Sequence, residues 1–232
     1  MGILKLIQKD FRAHRVYLLY SVVLLCAIST LFTYLVLLEN GRTDFELIMY
    51  FVIVLASTSI VSLLFIQMDE LYKTDEIFAS LPVTRTQIII AKYLSSFIQV
   101  LLALAVHFLG IQLGAYFHGS PGSPQLEIIY NPLLWLIMGV LLLFFKSYSY
   151  PLYFRFGLTI GAATHGVIQF LWLVILILSF RFFNLQLKIE QLIEWGSGQN
   201  GYLLLTALVM AVVALMILSM TLSSKFFKHK AI

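Results

Sequence analysis

The composition of the chain places it among integral membrane proteins. Of its 232 residues, 61% are apolar and only 11% are charged, and the mean hydropathy is +0.96, whereas soluble domains are about half apolar and about one quarter charged. The formal charge of +4 comes from basic residues that interrupt apolar stretches, so they indicate orientation rather than a nucleic-acid surface. The single cysteine, Cys26, excludes an intrachain disulfide and any cysteine-based metal cluster.

The N-terminal segment, residues 1–15, predicts an amphipathic helix that lies along the cytoplasmic membrane surface. Its basic residues fall mostly on one side, and its apolar residues recur at helical spacing as Ile3, Leu4, Ile7 and Phe11. The apolar run 17–38 follows, and it is too long for the core of a cleaved signal peptide. We therefore interpret this run as a first membrane span that remains in the protein.

The hydropathy pattern predicts an all-α protein with six membrane spans in one domain that covers residues 1–232. A span needs about 20 apolar residues, and apolar runs occur at about 17–38, 47–67, 93–117, 132–150, 158–179 and 201–223. With both termini inside, 12 of the 15 basic residues lie on cytoplasmic segments, and the remaining ones are Arg42, Arg181 and Lys188. The positive-inside rule therefore favours cytoplasmic termini in a multi-pass protein of the cell membrane.

Three connections between these spans are long enough to carry structure. Residues 68–92 form the longest inside loop, and residues 118–131 form an outside loop rich in Pro and Gly. Residues 180–200, also outside, place apolar residues at helical spacing before Trp195, which predicts a short interfacial helix. Pro151, between the fourth and fifth spans, is expected to break or kink the helix. An ordered interfacial element and a plain turn are both open there.

Polar residues inside the predicted spans are the candidates for a substrate path. His107, His165 and Gln169 lie at membrane depth, where an ionisable residue is a functional candidate and an amide needs a partner. A neutral histidine bonded to a neighbouring helix is the commoner outcome, so both interpretations are open. Lys146, near the inner end of the fourth span, is expected to extend its ammonium group to the cytoplasmic surface.

Two glycine pairs predict close helix packing. Gly110 and Gly114 lie on the third span, and Gly157 and Gly161 lie at the start of the fifth, each with the four-residue spacing that lets helix backbones approach closely. The sequence leaves open whether these faces pack within one chain or between two copies. We expect the Gly157 and Gly161 face to lie near a dimer interface.

Several kinds of catalytic and transport chemistry are absent from the sequence. None of its glycines is followed by lysine, so the chain lacks the common phosphate-binding loop, and it lacks the zinc-protease motif as well. Its acidic residues all fall at the ends of spans or in loops, which disfavours a proton-coupled carrier. We therefore assign no catalytic residue and no metal ligand.

The inside loop carries the most specific pattern. Asp69, Glu70, Asp75 and Glu76 make it acidic, and an apolar ridge follows that ends at Pro82. Anionic lipid headgroups repel such a loop, whereas an apolar ridge that faces water indicates a protein partner. Docking of a protein is therefore favoured over contact with lipid.

The stretch FASLPVTRTQIIIAKYLSS, residues 78–96, resembles a recurrent element that follows the second span in membrane subunits of ABC-2 type transporters. The basic start MGILKLIQKDFRAHR resembles the N-terminal elbow helix of that family, and the predicted topology is similar over the whole chain. Size and pattern are most similar to small permeases of Gram-positive bacteria that export phenol-soluble modulins, antimicrobial peptides or lantibiotics. The outside loop 118–131 matches no family feature.

The resemblance implies a coupling helix that sits in a groove of a separate ATP-binding subunit. Carried over to this sequence, Phe78 and Leu81 would anchor that helix and Glu76 would form an ion pair, and the whole segment would comprise Asp75, Glu76, Ile77, Phe78, Ala79, Ser80, Leu81 and Pro82. ATP and Mg would be bound by the partner, and no cofactor by this chain. Two copies, or this chain and a related subunit, would form a dimer with an amphipathic peptide or lipid-like cargo between them.

Two other classes of protein share parts of this pattern. A membrane-embedded enzyme or immunity protein would act on lipid or peptide without an ATPase, but it would need a nucleophile and a base within reach of each other. A regulatory scaffold or sensor would share the topology and the inside loop. Stimulation of ATP hydrolysis by a candidate substrate separates the exporter from both.

Overall fold

A computed structural model describes residues 3–38, 50, 52–61, 83–119, 130–183, 191 and 199–229. This part of the chain is helical and contains no strand. Its helices are α1 (Ile3–Ala13), α2 (Arg15–Leu38), α3 (Val52–Val61), α4 (Arg85–His118), α5 (Pro132–Phe183) and α6 (Gln199–His229).

Four helical segments are long and apolar enough to cross a membrane. They are Arg15–Leu38, Arg85–His118, Pro132–Gly157 and Thr206–Phe226, and they coincide with the first, third, fourth and sixth predicted spans. The apolar helices Val52–Val61 and Thr159–Ile175 are shorter and lie within the second and fifth predicted spans. The chain is therefore a multi-pass membrane protein, and the count of six spans stays a prediction.

Helix α1 packs against other helices through part of its apolar surface. Leu6 is only 1% exposed, and it lies in an apolar cluster with Ile88 and Ile89 of α4 and with Tyr153 of α5. Leu4, in contrast, is 81% exposed. The predicted stripe thus missed Leu6, whose side chain holds α1 to the Arg85 end of α4.

Helix α5 is divided at Gly157 rather than at Pro151. Gly157 has φ 77° and ψ −178°, a backbone conformation that is essentially restricted to glycine, whereas the helix continues through Pro151. The helix of the fourth span, predicted at about 132–150, therefore continues to Gly157. A proline removes one hydrogen bond from a helix and can kink it, but it does not reverse the chain. The turn needs the backbone angles of Gly157, which are essentially restricted to glycine.

The two arms of α5, before and after Gly157, are antiparallel. An added Cβ at Gly161 would lie 3.0 Å from Cα of Tyr153, and Ser149 contacts His165. In each pair the two residues are equally far from Gly157 along the chain, so the two arms run in opposite directions. Gly161 therefore packs within the chain. The close contact at Gly161 corrects the expectation that the Gly157 and Gly161 face lies open to a second copy. Gly157, the other residue of this pair, makes the turn between the two arms.

Helix α4 packs along α2 at the other predicted glycine pair, Gly110 and Gly114. A Cβ at Gly110 would lie 2.8 Å from the carbonyl oxygen of Cys26, and one at Gly114 would lie 2.7 Å from that of Thr30. These distances require glycine, because neither backbone can withdraw without moving a helix. The close packing predicted for this pair is confirmed, and it occurs within one chain.

Candidate functional site

The predicted coupling residues, Asp75 to Pro82, lie outside the described residues, as does most of the predicted outer helix. The described structure resumes at Val83. Thr84 caps α4, because its side-chain oxygen accepts a hydrogen bond from the Gln87 amide at 3.3 Å while the Gln87 side chain accepts from the Thr84 amide at 3.0 Å. This reciprocal cap starts the helix firmly, directly after the coupling segment.

A hydroxyl cluster then joins α4 to α5 and α6. The Tyr93 hydroxyl forms hydrogen bonds with Ser219 and, at 2.9 Å, with Ser223 of α6, and Ser219 donates to the carbonyl of Ser147 in α5. The Tyr93 ring lies 4.9 Å from that of Tyr150. We name Tyr93, Ser147, Ser219 and Ser223 the Tyr93 joint. Sequence reasoning missed it, although Tyr93 lies within the family-like element.

The second polar cluster surrounds His107, which is fully buried. Its Nδ1 lies 2.5 Å from Oγ of Ser29 in α2, and its Nε2 lies 3.2 Å from Oγ1 of Thr58 and 3.4 Å from Oγ of Ser57 in α3. We name these four residues the His107 junction. It connects α2, α3 and α4 at one depth, which is the placement expected of a polar group that bonds to neighbouring helices.

The hydrogen bonds around His107 assign its ring protons. Ser57 donates its own hydrogen to the carbonyl of Ile53 at 2.6 Å, so towards the imidazole it offers only an oxygen acceptor. This favours the tautomer that carries the proton on Nε2 of His107, with Nδ1 accepting from Ser29. A neutral imidazole satisfies this arrangement completely.

His165, on the second arm of α5, lies in a different environment. Its Nδ1 is 2.9 Å from Oγ of Ser149, and Ser149 donates its hydrogen to the carbonyl of Phe145 at 2.6 Å. The Tyr148 ring lies 5.3 Å from the imidazole ring. His165 and Ser149 thus join the two arms of α5 across their interface.

A small cavity adjoins His165. It has a volume of about 10 Å³ and is lined by Thr58, Ser59, Val100, Leu142, Phe145, Lys146 and His165. Lys146 is only 5% exposed, so its side chain does not extend to the surface as expected. The neighbouring helices enclose it instead, and its charged group belongs to the protein interior.

Gln169 follows His165 by one helical turn and is buried. Its Nε2 has no hydrogen-bond partner among the residues that the structure describes. The structure thus brings His165 and Gln169 to one helix face and places His107 in another cluster, with Thr58 common to both surroundings. Sequence reasoning missed the serine and threonine partners, whose only signal was the need of a buried histidine for hydrogen bonds.

An apolar groove of about 590 Å³ runs along the outer face of α2 and α4. It is lined by Val22, Val23, Cys26, Ala27, Thr30, Leu31, Tyr34, Leu113 and Phe117. Large side chains flank small ones along α2, so the surface is concave rather than smooth.

The class of protein follows from this architecture. Long apolar helices carry buried polar clusters, and no group of three potential metal ligands occurs within the described ranges. This arrangement defines a polytopic membrane protein. The family model for "ABC-2 family transporter protein" matches residues 5–228, and the chain belongs to this family. It is accordingly a membrane component of an ABC transporter. No curated protein and no solved structure matches it.

Proposed function

We propose that the chain is the permease subunit of an ATP-driven exporter, and that it moves an amphipathic peptide or lipid-like cargo out of a bacterial cell. The family match over residues 5–228 carries this proposal. A separate ATP-binding subunit would bind ATP and Mg, since the sequence lacks the common phosphate-binding loop. Both termini would face the cytoplasm, as the distribution of basic residues favours.

Energy would enter through the segment Asp75 to Pro82. This segment leads directly into α4, whose first turn is fixed by the reciprocal cap of Thr84 and Gln87. Eight residues after Arg85, Tyr93 contacts both α5 and α6. A displacement of the coupling segment would therefore act on three helices through the Tyr93 joint.

The groove along α2 and α4 supports a dimer with cargo handled at its interface. Its lining is almost entirely apolar and about 590 Å³ in volume, which suits an acyl chain or an apolar side-chain row of an amphipathic peptide. A second copy placed on this face would enclose the groove between two chains. The sequence alone led us to expect the Gly157 and Gly161 face near this interface, but Gly161 packs against Tyr153 of its own chain.

The decisive experiment is co-purification with an ABC ATPase encoded beside this chain. Replacement of Phe78 and Leu81 by alanine should remove the two side chains that anchor the coupling segment in the ATP-binding subunit, each worth about 2 kcal/mol or roughly 30-fold in affinity. The permease should still insert into the membrane. Leu203→Ala, at an exposed position of α6, is the matched control. Unchanged recovery of the ATPase with both anchors replaced would show that the loop does not dock it.

A second measurement separates the competing classes of protein. In the purified complex, an amphipathic peptide should stimulate ATP hydrolysis, whereas an enzyme, an immunity protein or a scaffold predicts no stimulation.

Orientation is tested with Lys73→Cys in a Cys26→Ser background. Labelling of position 73 by an impermeant thiol reagent from outside the cell would contradict the proposed topology.

A further inference from the structure

The cavity beside His165 lies between α3 and the two arms of α5. Thr58 and Ser59 line it from α3, and Lys146 and His165 line it from the two arms. Its volume of about 10 Å³ is at the lower limit for one water molecule, and a buried water needs two to four polar partners. Hydroxyl, ammonium and imidazole groups line this cavity together with the apolar residues Val100, Leu142 and Phe145. The cavity therefore offers polar partners to one water molecule and is too small for a larger ligand.

The hydrogen bonds of His165 show which of its two ring nitrogens can act as an acceptor. Because Ser149 spends its own hydrogen on the carbonyl of Phe145 at 2.6 Å, its oxygen must accept at 2.9 Å from the Nδ1 proton of His165. A neutral imidazole then keeps a lone pair on Nε2. The hydrogen bond that the structure gives His165 is the one at Nδ1, so Nε2 is the ring nitrogen that can accept a hydrogen bond from a water in the cavity that His165 lines.

We propose that this cavity binds one water molecule, which donates a hydrogen bond to Nε2 of His165 and connects His165 to the His107 junction through Thr58. Thr58 belongs to both surroundings, because its Oγ1 lies 3.2 Å from Nε2 of His107 and its side chain lines the cavity. The resulting path runs from Ser29 through His107, Thr58, the water and His165 to Ser149. It joins α2, α4, α3 and both arms of α5 in one hydrogen-bonded network.

This network couples the two buried histidines. A change in the hydrogen bonding of one imidazole reaches the other through the Thr58 hydroxyl and the water molecule. Lys146 lines the same cavity, and the Tyr148 ring lies 5.3 Å from the His165 ring at an interplanar angle of 39°, so both residues contribute to the surroundings of His165. The inference concerns the membrane component itself and does not depend on cargo or ATPase.

Nitrogen NMR of histidine rings tests the proposal on the full chain in phospholipid nanodiscs. The chain has five histidines, so each ¹⁵N signal can be assigned by single substitution. We expect His107 in the Nε2–H tautomer and His165 in the Nδ1–H tautomer, with magnetisation transfer from water to Nε2 of His165. Detection of His165 in the Nε2–H tautomer, or absence of the water transfer, would overturn the water site.

The connection between the two histidines is tested with Thr58→Val, which keeps the side-chain shape and removes the hydroxyl. We expect the ring signals of both His107 and His165 to shift. The control is Thr30→Val, because the Thr30 hydroxyl bonds only along its own helix, to the Cys26 carbonyl at 2.8 Å, and both rings should be unaffected. A shift confined to His107 in Thr58→Val would disprove the connection.

Discussion

Helix α4 makes two kinds of contact along its length. At Tyr93 it meets α5 and α6 through hydroxyl groups and a contact between two tilted aromatic rings. At His107, Gly110 and Gly114 it meets α2 with the two backbones nearly touching. The two contacts are 14 residues apart, or about 21 Å along a helix. Side chains that meet by their ends can readjust, whereas backbones in direct contact cannot.

This difference assigns different mechanical roles to the two ends of α4. The contact with α2 forms a rigid pair, because any sliding would drive Gly114 against the Thr30 carbonyl. The Tyr93 joint, near the predicted coupling segment, links α4 to helices that approach less closely. We therefore expect stability to depend most on the glycine contact and coupling to depend most on the joint.

The strongest test of the rigid contact is Gly114→Leu. The new side chain would begin 2.7 Å from a backbone oxygen, so we expect a loss of about 3 kcal/mol or more in the free energy of unfolding, at the upper end of overpacking effects. Gly166→Leu is the control, because nothing lies within 4 Å of its Cβ position. Equal stability of the two variants in denaturant titration would show that α2 and α4 do not pack this closely.

Gly157→Ala tests the turn that brings the second arm of α5 back along the first. Alanine at φ 77° and ψ −178° is strained, and we expect a loss of about 1–3 kcal/mol in stability. Gly166→Ala, within a regular helix, should instead be neutral or stabilising by up to about 1 kcal/mol. Thermal unfolding of both variants measures the difference, and a stabilised Gly157→Ala would contradict the observed turn.

The His107 junction predicts an unequal effect of replacing the two buried histidines. His107→Leu leaves the Ser29 hydroxyl without its acceptor between three helices, which should cost about 1–3 kcal/mol. His165→Leu should cost less, because Ser149 keeps its bond to the Phe145 carbonyl. Unfolding measurements in the same detergent compare them. A larger loss for His165→Leu would place the more important polar contact within α5.

Hydropathy alone predicted the position of the long helices, because each needs a sustained apolar run. The contacts of the candidate residues were less predictable: a histidine in a span demands partners, but Ser29 and Thr58 are distant in sequence and no local pattern selects them. Pro151 and Gly157 show the same limit. Both residues disturb a helix, and only the packing of Gly161 on Tyr153 decides which one makes the turn.

The smallest expected effect on stability, and the most specific one, is that of Tyr93→Phe. The variant keeps the ring contact with Tyr150 at 4.9 Å and removes only the hydroxyl that bonds Ser219 and Ser223. The free energy of unfolding should therefore fall by about 1 kcal/mol.

If the joint transmits movement from the coupling segment, the same variant should lower the amount of cargo moved per ATP hydrolysed while binding of the ATPase is retained. Tyr116→Phe, at an exposed position on the opposite end of α4, should change neither quantity. Transport and ATP hydrolysis measured in one proteoliposome preparation give the ratio. An unchanged ratio in Tyr93→Phe would mean that the aromatic and apolar contacts around Leu6 and Tyr153, rather than the hydroxyl cluster, connect α4 to its neighbours during the cycle.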